Sequence, residues 1–387
     1  MTPTDQATLS VRSTADLLAA VPFLLGFHPA DSVVVIALRA NRIVFVARGD
    51  LPDFLTAPPP SAGGAGEAAA RGPGETAARG PGETAARGPG ETAGGPGETA
   101  GGPGEAAAQL AAVVARQGVE TVTIVGYGPP ARVTPVIDAV TGALGRFGLP
   151  VLDALRVTGD RYWSYVCADP GCCPPEGTRF DASASQFAAA ATFAGQVALP
   201  DRETLVRQVS PVDGPAREAM RQATRRAESR LQKLLDRAAP ADPRGRRALR
   251  RAGRSAVRIA MLRHRTGGRL TDDELAWLSL LLVHLPTRDE AWQRTGGEDW
   301  QLALWTDVLR RSEPDLVAAP ATLLCFAAWR AGQGALASVA VERALEAQPD
   351  YSLALLLAET LRAGIPPSTL DGWDAPDRSR QEVLRAR

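Results

Sequence analysis

Lysine is all but missing from this 387-residue chain: Lys233 is the only one among 43 basic residues, and the rest are arginine. With heavy use of alanine, glycine and proline, that skew marks a GC-rich bacterial genome and carries no functional signal of its own. Net charge is missing too. The basic residues are matched by 43 acidic ones, which excludes a chain that is basic or acidic throughout and leaves only local charge asymmetry to do electrostatic work. Stretches such as 275–285 fall far short of the roughly 20 apolar residues needed to cross a bilayer. No basic segment leading into an apolar one opens the chain, so the expected location is cytoplasmic, away from the membrane. Histidines number three, and none stands in a pattern with a serine or cysteine nucleophile. Gly-x-Ser-x-Gly, P-loop and His-Glu-x-x-His motifs are absent as well, so the question of an enzyme stays open with no reaction named. Cysteines number four, three of them within 167–173, a distribution unlike the disulfide framework of a small secreted domain.

What is present divides the chain. A helix is expected over 13–25, with Ser13 as N-cap and Pro22 ending or kinking it. β-branched runs at 33–38 and 43–47, with Asn41 between them, predict a hairpin. The composition then collapses: the octad Ala-Arg-Gly-Pro-Gly-Glu-Thr-Ala recurs at 70–77, 78–85 and 86–93. These units offer no large apolar side chain to bury, so the expectation is a disordered insertion over 57–106 rather than a solenoid. A helix near 107–116, a strand over 118–126, a helix over 134–146 and strands at 151–157 and 162–166 follow. That alternation predicts an α/β fold with a mixed or parallel sheet covered by helices. After Pro175 the pattern is helical throughout, over 182–197, 201–209, 214–238, 244–265, 271–284, 297–311, 321–330, 335–347 and 352–362. The expected organisation is an α/β domain in two parts, 1–56 and 107–180, the insertion between them, an all-helical domain over 181–365, and a tail over 366–387.

Four features carry chemistry. Cys167, Cys172 and Cys173 place three soft ligands together; the readings are thiols packed in a turn, a metal site with zinc as the ion, or a redox pair. In an extended chain Cys172 and Cys173 would point apart, and a fourth metal ligand, such as His28, would have to come from elsewhere. Gly126 and Gly128 end a strand and precede a helix, where backbone amides can cradle an anion, although Pro129 and Pro130 remove two donors and a tight turn is the plainer reading. Asp31 and Ser32 precede a strand and stand either at a site mouth or, for Asp31, as a turn cap. The stretch 217–265 is basic: nine arginines and no acid lie between 244 and 265, and Arg244, Arg247, Arg251, Arg254 and Arg258 are candidates for a polyanion or nucleic acid. The plain alternative is a solvated face balanced by Asp272, Asp273 and Glu274.

Gly332, Ala337, Ala344 and Pro349, with Leu324 before them, have the spacing of a tetratricopeptide-like helical hairpin, expected to act as a cap on the bundle. The opening run Arg12–Pro22, the segment Gly26-Phe27-His28-Pro29-Ala30-Asp31-Ser32-Val33-Val34-Val35, then Arg48-Gly49-Asp50-Leu51-Pro52 and Cys172-Cys173-Pro174 together resemble the actinobacterial family called domain of unknown function 4192. The resemblance implies an α/β N-terminal domain and a bacterial cytoplasmic setting, and no activity. Three functions follow as expectations: a non-enzymatic binding or regulatory module with a protein partner on its helical half, a cysteine-centred metal or redox protein, and a polyanion binder working through residues 244–265.

Overall fold

The computed structural model describes residues 11–51, 103–236 and 243–370. The expected insertion up to residue 102, and the tail from 371, lie outside the described residues. Helix α1 spans Thr14–Leu25 and is capped as its sequence requires, Ser13 Oγ accepting from the Asp16 amide. Pro22 does not end it. That residue lies on the buried side with Leu18 to Val21, and the helix runs on to Gly26 in the left-handed conformation. Strands β1 (Ser32–Arg39) and β2 (Arg42–Asp50) form the expected hairpin, turning through Ala40 and Asn41 at positive φ.

Helix α2 (Pro103–Ala115) takes in the last four residues of the expected insertion, and Ala107 and Ala111 on one face are fully buried. Then follow β3 (Thr121–Tyr127), α3 (Pro130–Arg146), β4 (Val151–Thr158), β5 (Arg161–Ser164) and the two-residue β6 (Thr178–Arg179). The sheet is mixed, in the order β2-β1-β3-β4-β5-β6, with β3 and β4 its parallel pair. Strand β1 explains the layering. Val33, Val35 and Ala37 pack with α2 and α3 on one face, while Val34 and Ile36 pack with α1 on the other. Each buried valine or isoleucine contributes about 1.5–3 kcal/mol, so β1, flanked by β2 and β3, is covered on both faces.

The helical half comprises α4 (Gln186–Phe193), α5 (Arg202–Val209), α6 (Gly214–Asp236), α7 (Pro243–Arg265), α8 (Asp272–Leu282), α9 (Leu285–Arg294), α10 (Asp299–Arg311), α11 (Ala318–Arg330), α12 (Gly334–Ala347) and α13 (Ser352–Arg362). Its core centres on α11, buried at every position from Ala318 to Trp329. Helix α9 is absent from the sequence reading because its buried positions include Thr287 and Glu290, which leave no apolar stripe to recognise. Several contacts tie the halves together, among them the Ser185 hydroxyl's donation to Asp16 and the Phe23–Phe187 ring pair between α1 and α4. Phe27 bridges to Leu199, with the His28 amide donating to the Leu199 carbonyl, and Gln117 on α2's end donates to Gly364 after α13.

Candidate functional site

The strand end beyond β3 is closed by its own groups. Gly126 faces α3, where a Cβ would come within 2.3 Å of Val133, so this glycine serves helix packing rather than a ligand. The Gly128 amide donates to the Val157 carbonyl, and its carbonyl accepts from Thr158. The Asp31 side chain, expected to cap a turn, instead accepts from Arg132 in the first turn of α3 at 2.6 Å. Ser32 is not at a mouth but wholly buried, because β1 pairs on both sides there, with Asp50 and Tyr127 opposite it. Its hydroxyl and that of Tyr127 have no partner among the described residues, and burial pushes the Tyr127 phenol well above its ordinary pKa.

The loop between β5 and β6 brings the three cysteines together. The chain is not extended there, which is why Cys172 and Cys173 do not diverge: both amides donate back to the Asp169 carbonyl, at 3.1 and 2.7 Å. All three sulfurs lie within 4.8 Å of one another, with Cys172 exposed and the other two half-buried. Cys167 is held below the ordinary thiol range by hydrogen bonds from Cys173 and from the Asp169 amide, and Cys173, as donor, is pushed up to about 12. His28 does not join this trio, and among the described residues no other histidine or carboxylate does.

The basic stretch separates into paired and unpaired halves. On α6, Arg217 meets Glu313 at 2.8 Å, Arg221 and Arg225 meet Glu218, and Arg226 meets Asp273. On α7 the buried face carries Val257, Ala260, Met261 and His264, which turns Arg247, Arg251, Arg254 and Arg258 into one exposed row. That row runs about 16 Å at the helical rise of about 1.5 Å per residue. The side chain of Arg244 lies outside the described residues. The acids expected to balance this face are mostly committed elsewhere: Asp272 pairs with Arg311, Asp273 with Arg226, and Glu274 with Arg263 at the far end of α7. Among the described residues, none of Arg247, Arg251, Arg254, Arg258 and Arg265 forms a salt bridge.

A groove of about 1050 Å³ runs beside this row. Arg251, Arg254, Arg258 and Arg265 form one wall. Partly exposed Ile259 and Leu262 supply an apolar floor. The opposite wall is the Arg294–Glu290 ion pair of α9 and, from the first turn of α10, half-buried Trp300, whose indole N–H donates to Glu298. Five lining arginines thus face two glutamates, one of them already paired. Gly253 sets the spacing: a Cβ there would come within 2.1 Å of the Thr287 hydroxyl, so only glycine lets α9 lie this close to α7. Sequence reasoning missed Trp300, Arg294 and Glu290. They stand more than thirty residues from the arginine row, on helices whose docking no local pattern encodes.

No helix among the described residues is long and apolar enough to cross a membrane. No curated protein and no solved structure matches the chain. A family model described as Domain of unknown function (DUF4192) matches residues 15–86 and 96–368, which takes in the sheet, the cysteine loop and the helices that form the groove. The chain therefore belongs to the DUF4192 family.

Proposed function

We propose that this protein is a non-enzymatic binding module that holds single-stranded nucleic acid in the groove between α7, α9 and the start of α10. The observation that carries this reading is the uncompensated row Arg251, Arg254, Arg258 and Arg265 facing an aromatic ring across an apolar floor. Arginines without acidic partners keep their donors for phosphate oxygens. A tryptophan across the groove supplies the face on which an unpaired base stacks, a combination suited to a single strand rather than a duplex. Glu290 is paired with Arg294, which leaves the Glu298 carboxylate, an acceptor for the indole N–H, as one acid against four arginines.

The test is fluorescence anisotropy of a labelled oligothymidylate, with the matching duplex and polyglutamate as competitors. Four phosphate contacts give a slope of about −3 in log affinity against log salt, at about −0.7 per contact for single strands. Trp300→Ala is expected to weaken the single strand by about 1–3 kcal/mol and to erase its advantage over duplex. A salt-independent signal, or polyglutamate competing as well as the oligonucleotide, would remove this reading.

A further inference from the structure

The thiol trio takes no part in the groove and belongs to the other half of the molecule. Its loop is held by bonds that do not involve the thiols. At one end the Tyr165 amide donates to the Ala154 carbonyl at 2.8 Å, and its phenol lies 2.6 Å from the Thr134 hydroxyl. Ser164 Oγ donates to Asp153 and accepts from the Cys167 amide at 3.1 Å. At the other end Arg161 donates to the carbonyls of Glu176 and Gly177, and the Trp163 indole to that of Pro175. Between these anchors the Asp169 turn folds Cys172 and Cys173 back toward Cys167.

The spacing suits an ion. A zinc–sulfur bond of about 2.3 Å sets neighbouring sulfurs of a tetrahedral site about 3.8 Å apart. Sulfurs no farther than 4.8 Å from one another close on such an ion with a shift of about an ångström or less. A disulfide would employ two of these sulfurs and draw them to about 2.05 Å, leaving the third thiol without a role. Soft thiolate donors select zinc over magnesium or calcium.

We propose that Cys167, Cys172 and Cys173 together bind one zinc ion at the sheet edge, with the fourth position taken by water or another ligand from outside the chain. Three protein ligands and one exchangeable position form the open type of zinc coordination, and exposed Cys172 puts that position toward solvent. The site shares no residue with the arginine groove, so either proposal can fail while the other stands.

The test uses the full-length chain purified under argon. Elemental mass spectrometry is expected to find close to one zinc per chain, and zinc-free protein titrated with cobalt(II) chloride to develop thiolate-to-cobalt absorption that saturates at one equivalent. Cys172→Ser and Cys173→Ser should each remove most of the zinc, while Cys325→Ser, at a buried thiol of α11, leaves it in place. Far-UV dichroism of the variants separates loss of the site from loss of the fold. Should a variant misfold, titrating the native chain with a mercurial reagent decides: zinc is expected to leave in step with three thiols. Absence of both zinc and cobalt bands, zinc retained in both variants, or a Cys167–Cys173 disulfide in the argon-purified protein would each overturn the proposal.

Discussion

Helices α6 and α7 are both 23 residues long and rich in arginine, yet they spend that charge differently. On α6 the arginines find acids or an aromatic face: Arg217 reaches Glu313, Arg226 reaches Asp273, and Arg230 lies 4.1 Å over the Trp277 ring. On α7 the row from Arg247 to Arg258 finds none among the described residues. Composition alone does not separate these cases. What separates them is where neighbouring helices place their carboxylates, and α8 directs two of its three first-turn acids away from α7. An arginine-rich helix therefore signals a ligand only after its internal partners have been counted.

The largest effect should come from the glycine that sets the groove. On helix propensity alone, replacing Gly253 with a larger residue would be favourable by up to about 1 kcal/mol. With the Thr287 hydroxyl 2.1 Å from the new Cβ, Gly253→Val is instead expected to destabilise by about 3 kcal/mol, read from a denaturant melt. A gain in stability would show that α9 does not need this close approach.

Next comes the contrast between the two helices. Arg217 donates to the Ser312 carbonyl as well as to Glu313, in a pair whose side chains are 15% and 20% exposed. Arg217→Ala should therefore cost about 1–3 kcal/mol of stability. Arg254→Ala, on the open face, should stay within about 0.5 kcal/mol of the parent. Equal losses in the two melts would erase the distinction. The double reversal Arg254→Glu with Arg258→Glu should leave melting nearly unchanged and lower oligonucleotide affinity at least about tenfold, or about 1.4 kcal/mol. A mutant that binds as the parent does would show that the row faces no phosphate.

The smallest effect concerns the two faces of α7 and their response to acid. His264 lies on the inner face, and burial together with Arg269 and Arg311 lowers its pKa against the opposing pull of Asp307, 3.9 Å away. The folded state then binds its proton less readily than the unfolded chain. Stability from this group is complete above the unfolded value of about 6.5 and is lost as pH falls from there through the lower folded value. Melts between pH 5 and 8 should show a decline below about 6.5 that His264→Gln flattens, while the guanidinium row outside keeps its charge over that range. A decline unchanged in the variant would assign the pH response to another group.

Much of the fold was legible in the sequence because its strands are continuous β-branched runs and most of its helices keep an apolar stripe. The exceptions have physical causes. Helix α9 buries a threonine and a glutamate, β6 is too short to show a period, and Pro22 is carried inside α1 by burial. The sites were half legible. The arginine row shows in its helical spacing, but Trp300 reaches it only through helix docking. The cysteines show in their clustering, but their convergence depends on a turn closed by the Asp169 carbonyl.

The two residues of β6 have a consequence beyond the cysteine loop. Thr178 and Arg179 are all that pairs with the outer side of β5. A strand left open at a sheet margin offers its free amides and carbonyls to any other extended chain, including another copy of the same protein. A ladder this short, ending in an arginine, pairs only with Arg161 and Tyr162 and is itself too short to template a further strand, so an incoming extended chain finds little to add to at this corner of the sheet.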